Sequence, residues 1–176
     1  MRIILFTIIA VFSVSFVFSQ STQKKSKKRM KAEIKAEQIR QIREIVNSKN
    51  FVFKAETVKP INSKRMNLLT DFGVEVRGDS IFSYLPYFGN NYQRDLTTFK
   101  NSPLGFMQPI NDYDRFSTNE GYKIVVKVKN ENEFINLVFH IAKRGYTSLS
   151  ASFLNRQSIS YDGEILIPPK PEAEEE

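Results

Sequence analysis

The first hydrophobic pattern in the chain has helical spacing and lies between Arg29 and Ser48. Its isoleucines and valine fall within an arc of roughly 140° on a helical wheel, the width of a stripe that packs against a core. The stripe consists of Ile34, Ile39, Ile42, Ile45 and Val46. The pattern is shorter than a coiled coil requires, so it predicts one amphipathic helix packed on a sheet.

From Phe51 onward, apolar and polar residues alternate in short runs, which is the pattern of half-buried β-strands. The runs are Phe51–Val58, Phe72–Val76, Ile81–Leu85, Tyr122–Lys129, Phe134–Ile141, Tyr146–Phe153 and Ser158–Tyr161. Further short strands are expected around Leu96–Phe99 and Gly105–Gln108. Turns are expected at Gly78–Asp79, at Asn130–Asn132, at Lys143–Gly145, at Asn155–Gln157 and at Asp162–Gly163.

Short turns between consecutive strands indicate antiparallel pairing. The alternation indicates that each strand has one buried and one solvated face. The predicted fold is therefore α+β, with an N-terminal helix packed on a curved antiparallel sheet or a partly closed barrel of about 7–8 strands.

The first 19 residues combine Arg2, a long apolar run and small residues before Gln20, which is typical of a secretory signal peptide. The apolar run of about 16 residues is shorter than the ~20 that cross a bilayer as a helix. We expect cleavage near Ser19/Gln20 and a periplasmic or secreted product without stable membrane insertion. An uncleaved membrane anchor is the alternative.

The chain contains no cysteine. This excludes disulfides, cysteine-based metal sites and a lipid anchor on an N-terminal cysteine. The folded region must therefore be stabilised by its core alone.

The net charge of +7 is concentrated near the N-terminus. Residues 20–50 hold ten lysines and arginines against three glutamates, whereas residues 51–167 are nearly neutral. The expected organisation is a signal peptide (1–19), a basic flexible arm (20–28), a single α+β domain (29–166) and an acidic disordered tail (167–176). Since the domain itself has no basic stripe, nucleic acid is not expected as a partner.

The sequence contains no recognisable catalytic set. Its single histidine, His140, is out of phase with the inward residues of its strand, and no Gly-x-Ser-x-Gly elbow is present. A carboxylate pair could hydrolyse glycans, with Asp71, Glu75, Asp79, Asp112 and Asp114 as candidates. We interpret Asp112 and Asp114 as turn residues in a loop. No catalytic residue, metal or cofactor is predicted.

The most distinctive segment runs from Ser83 to Tyr92 and combines aromatic rings with Pro86 and Gly89. Its rings have two possible roles, stacking on a sugar or peptide, or packing in the core. The candidate ligand-binding residues are Tyr84, Tyr87, Phe88, Tyr92 and Arg156. The expected partners are a glycan, a peptide or an envelope component.

Tyr84–Gly89, the preceding Gly78–Ser80 hairpin, Gly145 and Asn155–Gly163 occur in an order that resembles a known family. This is the Bacteroidetes exported family catalogued as domain of unknown function 4251. The resemblance implies an exported bacterial protein and no known activity. Some relatives begin with a lipidated cysteine, which this chain lacks.

Three functional hypotheses follow. The first is a non-catalytic binding or envelope-associated module. The alternatives are a carboxylate-dependent hydrolase acting on glycans and a structural assembly partner.

Overall fold

The computed structural model describes residues 27–61, 63–88, 102–131 and 133–167. A helix, α1, spans residues 27–47, close to the predicted range. Eight strands follow it: β1 Asn50–Pro60, β2 Met66–Arg77, β3 Ser80–Tyr84, β4 Gly105–Ser117, β5 Gly121–Asn130, β6 Glu133–Ala142, β7 Tyr146–Phe153 and β8 Ile159–Leu166.

The strands form a closed barrel in which each strand pairs antiparallel with the next, and β8 pairs with β1. The α+β prediction is confirmed, and of the two predicted sheet forms the structure adopts a barrel, fully closed. Because the chain runs up and down, its connections alternate between the two ends of the barrel. We call the end with the β2–β3, β4–β5 and β6–β7 connections the helix end, and the opposite end the plug end.

Aliphatic and aromatic side chains fill the barrel interior, as the alternation predicted. The inward positions Ile124, Val126 and Leu137 are fully buried, and His140 is exposed on the outer face. The ring of Phe139 packs edge to face against Phe51, with centroids 5.5 Å apart, and against Phe53 at 6.1 Å. The interior is thus a packed core.

The helix, from Gln38 onward, packs on the helix end of the barrel. Ile42 and Val46 are fully buried, and the Arg115 guanidinium on β4 donates to the Asn47 side chain near the end of the helix. The predicted stripe is wrong at Ile34, whose side chain is 53% exposed. The buried residues of the stripe lie in the last turns of the helix, where Ile42, Ile45 and Val46 pack against the barrel core.

Two turn predictions are wrong. Asp112 and Asp114 belong to β4, where they pair with Lys127 and Val125 of β5. Their side chains are polar because this face of the strand meets solvent and the lysines of β5. The Asp162–Gly163 pair belongs to β8. The expected strand around Leu96–Phe99 lies outside the described residues.

Glycine is required at position 163 by a close approach of two strands rather than by a turn. A Cβ there would lie 1.9 Å from the Lys54 carbonyl oxygen of β1. The two strands approach so closely beside a bulge in β1 that no side chain fits.

Candidate binding site at the plug end of the barrel

An irregular segment, Leu85–Phe88, closes the plug end, and we call it the plug. It follows β3, where Pro86 cannot donate a ladder hydrogen bond. All four residues are buried. Backbone and side-chain hydrogen bonds fasten its beginning: Leu85 N–H donates to the Leu104 carbonyl at 3.3 Å, and the Ser102 hydroxyl donates to the Leu85 carbonyl at 2.6 Å.

The plug is joined to the barrel core by Tyr161, a fully buried residue of β8. Its hydroxyl donates to the Pro86 carbonyl at 2.5 Å. Burial raises the pKa of this hydroxyl well above its usual value, so it remains a proton donor across the physiological range. Tyr161 therefore supplies the hydrogen bond that the irregular backbone cannot make within a sheet.

A second anchor is Tyr87, whose side chain reaches the β7–β8 connection. Its hydroxyl donates to the Gln157 carbonyl at 2.9 Å, and its ring packs edge to face on Phe153 at 5.3 Å. Burial raises the pKa of the Tyr87 hydroxyl, and the positive charge of Arg156 opposes that rise. Tyr87 and Phe88 are each only 9% exposed, so most of both rings contributes to packing.

Arg156 lies beside this anchor, in the same connection. Its Nε donates to Glu133 Oε2 at 2.8 Å, which ties the β7–β8 connection to the start of β6. About half of the arginine side chain is exposed (49%). The guanidinium is therefore available to an external ligand while one face is held in place.

Tyr84 points the other way, to the outer wall of the barrel. On β3 it pairs with Gly73 of β2 and Gly105 of β4. A Cβ on Gly73 would lie 2.2 Å from the Phe53 carbonyl oxygen of β1, so the close approach of β1 and β2 requires glycine there. The Tyr84 hydroxyl lies 3.3 Å from the position that this Cβ would take. Burial raises the pKa of Tyr84, and the nearby charges of Glu75 and Asp71 add to the rise.

The structure thus places Tyr87, Phe88 and Arg156 together at the plug end and places Tyr84 on the outer wall. Tyr92 lies outside the described residues. Sequence reasoning missed the role of Tyr161. The signal was available, because Tyr161 is in phase with the inward residues Ile159 and Ile165, and a buried tyrosine hydroxyl needs a partner.

Three of the five candidate carboxylates, Asp71, Glu75 and Asp112, form ion pairs with neighbouring cations. Asp71 pairs with Lys54 and Asp112 with Lys127, each at 2.7 Å. These hydrogen bonds and charges lower the pKa of both carboxyls. A general acid in glycoside hydrolysis needs a raised pKa, so this arrangement does not favour the hydrolase alternative.

A groove of about 270 Å³ lies at the side of the plug end. It is lined by Lys59, Pro60 and Ile61 and by three serines, which are Ser150 of β7, Ser158 of the β7–β8 connection and Ser160 of β8. Its donors suit the oxygens of an anionic or polyhydroxylated group. Within the described ranges, no three or more His, Asp or Glu side chains form a group that could hold a metal ion.

Among the described residues, no helix has the length and apolar composition to cross a bilayer. A search of curated proteins finds no match. A crystal structure of a DUF4251 family protein from Bacteroides eggerthii DSM 20697 has a similar fold. It superposes with a TM-score of 0.57 at 10% sequence identity, covering 74% of this chain and 87% of that chain.

The family model described as "Domain of unknown function (DUF4251)" matches residues 33–165. The match runs from within α1 to the penultimate residue of β8. The predicted resemblance is confirmed, and the chain belongs to the DUF4251 family.

Proposed function

We propose that this protein is an exported, non-catalytic module that associates with a component of the bacterial cell envelope through the plug end of its barrel. The observation that carries the proposal is the packed interior. Because the core fills the barrel and both ends are covered, a ligand must be bound on the outside.

The proposed organisation follows the sequence. The signal peptide (1–19) is removed near Ser19/Gln20, and a basic arm (20–28), one α+β domain (29–166) and an acidic tail (167–176) form the mature protein. It acts in the periplasm or outside the cell, which are the compartments where an envelope component is accessible.

The exposed groups around the plug end support binding of a polar envelope component. The half-exposed guanidinium of Arg156 can pair with an anionic group. Tyr84 presents part of its ring on the adjacent wall, where a sugar or peptide can stack. Tyr87 and Phe88 support these residues from below and offer little surface of their own.

The test is co-sedimentation of the purified chain with isolated bacterial envelopes. Wild type is compared with a variant that combines Tyr84→Ala and Arg156→Ala, two side chains whose removal leaves the core intact. A matched control combines Tyr146→Ala and Arg144→Ala, a tyrosine and an arginine at the helix end. Circular dichroism and thermal unfolding verify that all three proteins are folded.

We expect wild type and control to sediment with envelopes and the Tyr84/Arg156 variant to sediment several-fold less. If wild type stays in the supernatant at low and physiological salt, envelope association is wrong. If both variants lose binding equally, the plug end is not the binding surface.

A further inference from the structure

The two ends of the barrel differ in how many large apolar side chains they expose. Among the described residues of the plug end, five project from the connections or the strand segments nearest to them, with exposed fractions from 57% to 86%. They are Ile61, Leu69, Met107, Phe134 and Leu154. The described strands and connections of the helix end have three, Phe116, Tyr146 and Leu166, at 40–56%, and the helix itself exposes Met30 and Ile34. Single exposed apolar residues are ordinary, but their concentration at one end indicates an interaction surface.

The exposure of the Leu69 side chain has an unusual local cause. The register of β1 and β2 jumps between Ala55–Phe72 and Thr57–Asn67, so four residues of β2 stand opposite one residue of β1. This bulge carries Leu69 outward until it is 86% exposed, while Leu68 packs on the core. A bulge re-aims a side chain, and here it presents a leucine to solvent.

Cations accompany these apolar side chains. Lys59, Lys64 and Lys129 lie at the plug end without an ion pair to any described residue. The Lys129 ammonium lies 5.8 Å from the centre of the exposed Phe134 ring. Among the described residues of this end, Glu56 and Glu131 are the acids without an ion pair, so three unpaired lysines stand against two unpaired acids.

The groove beside Ile61 adds a polar site at the same end. Lys59, Ser150, Ser158 and Ser160 line it, and the Ser160 hydroxyl donates to the Lys59 carbonyl at 3.3 Å. The lysine with the two other serine hydroxyls is a suitable receptor for phosphate oxygens. The groove therefore lies where a lipid head group would lie if Ile61 entered the acyl boundary.

We propose that the plug end docks on the surface of an anionic lipid bilayer. The five exposed apolar side chains enter the interface, and the three unpaired lysines contact head groups. This inference rests on the proposed envelope association and specifies its partner as lipid.

The arrangement suits a lipid surface better than a protein partner. The apolar side chains come from separate connections and strand ends around the barrel, and Lys59, Lys64 and Lys129 lie at the same end. Protein interfaces have a contiguous apolar core from which lysine is depleted. A bilayer interface accepts separate apolar insertions, and lysine stems extend along them to the head groups.

The experiment is flotation with vesicles of phosphatidylcholine, with and without about a third of phosphatidylglycerol. The test variant combines Phe134→Ser and Leu154→Ser. The matched control combines Phe116→Ser and Leu166→Ser, the same residue types at the helix end. All proteins begin at Gln20, the proposed mature N-terminus, and share an identical basic arm, so differences report on the barrel.

We expect wild type to float with anionic vesicles, the plug-end variant to bind about tenfold more weakly, and the control to stay within about twofold of wild type. A third variant, with Lys59→Gln and Lys129→Gln, changes only exposed charges. It should lose most of the preference for anionic over neutral vesicles. This variant keeps the proposal testable if the apolar changes reduce folding.

Absence of vesicle binding by the folded wild type would overturn the lipid inference. So would an equal loss of binding in the plug-end variant and the control. If wild type binds envelopes but not vesicles, the proposed function stands and the partner is another envelope component. If it binds neither, both proposals fail.

Discussion

The two ends of the barrel are closed in different ways. At the helix end, Ile42 and Val46 of α1 cover the core, and the helix satisfies its own backbone hydrogen bonds. At the plug end, the irregular segment Leu85–Phe88 has no such internal pattern. Its carbonyls are satisfied by hydroxyls from elsewhere, namely Tyr161 and Ser102. A regular element needs no buried donor from elsewhere for its backbone when it closes a barrel, whereas an irregular one does.

The largest expected effect comes from truncating one fully buried side chain at either end. Leu85→Ala in the plug and Ile42→Ala in the helix should each lower the free energy of unfolding by about 2–5 kcal/mol, because each leaves a cavity. Urea denaturation measures both, with the exposed Leu69→Ala as a control expected to change it by less than about 0.5 kcal/mol. A loss below about 1 kcal/mol at either end would mean that this end is not part of the cooperative core.

Two tyrosines with buried hydroxyls extend the comparison of the two ends. Tyr161→Phe at the plug end leaves the Pro86 carbonyl without its donor and should cost about 1–3 kcal/mol of unfolding free energy. Tyr113, on β4 towards the helix end, has a buried hydroxyl without a hydrogen-bond partner among the described residues. Tyr113→Phe should therefore be neutral or stabilising, because it removes an unsatisfied polar group.

Chemical denaturation of both variants checks this pair. Equal losses of stability would show that the hydroxyl of Tyr161 has no special role in holding the plug.

Raising the pH should have a smaller effect on the stability of the fold. Burial raises the pKa of Tyr113 to about 12 and also raises that of Tyr161. The folded state favours the neutral phenol. The contribution of each tyrosine to the free energy of unfolding is therefore fully present below the unfolded pKa of about 10 and is lost as the pH rises above it. Each Tyr→Phe variant should lose less stability than wild type between pH 9 and about 11. A midpoint that falls equally in wild type and both variants would contradict these pKa shifts.

The smallest expected effect on stability comes from two ion pairs on the outer wall of the barrel. Asp71 and Asp112 have lowered pKa values because Lys54 and Lys127 lie beside them. Their contribution is present above the unfolded carboxyl pKa of about 4 and disappears as the pH falls through the lower folded value. Asp112→Asn and Asp71→Asn should each lower the denaturation midpoint slightly at pH 7 and not at about pH 2. If the difference in denaturation midpoint between wild type and variant grew as the pH fell, the assigned direction of these pKa shifts would be wrong.

The predictions that are confirmed rest on local patterns of apolar and polar residues. Alternation identified β5, β6 and β7, because one face of each is buried along its whole length. Barrel closure was left open, since the pairing of β1 with β8 joins residues about a hundred positions apart and no local signal specifies it.

The errors have local physical causes. Asp112 and Asp114 have the composition of a turn, but both are residues of β4, opposite Lys127 and Val125 of β5. Gly163 suggested a turn, but it permits a close strand approach that only the fold reveals. The aromatic segment was recognised as distinctive. Its division into an outward Tyr84 and buried Tyr87 and Phe88 depends on where β3 ends.

In our proposal the plug end, and not the helix end, meets the envelope surface. Hydrogen–deuterium exchange of the chain from Gln20 onward, with and without anionic vesicles, distinguishes the two ends. We expect slower exchange in the β1–β2, β5–β6 and β7–β8 connections when vesicles are present, with no change at Gly78–Asp79 or Lys143–Gly145. Protection confined to the helix-end connections, or none at either end under conditions where the protein binds, would contradict the claim.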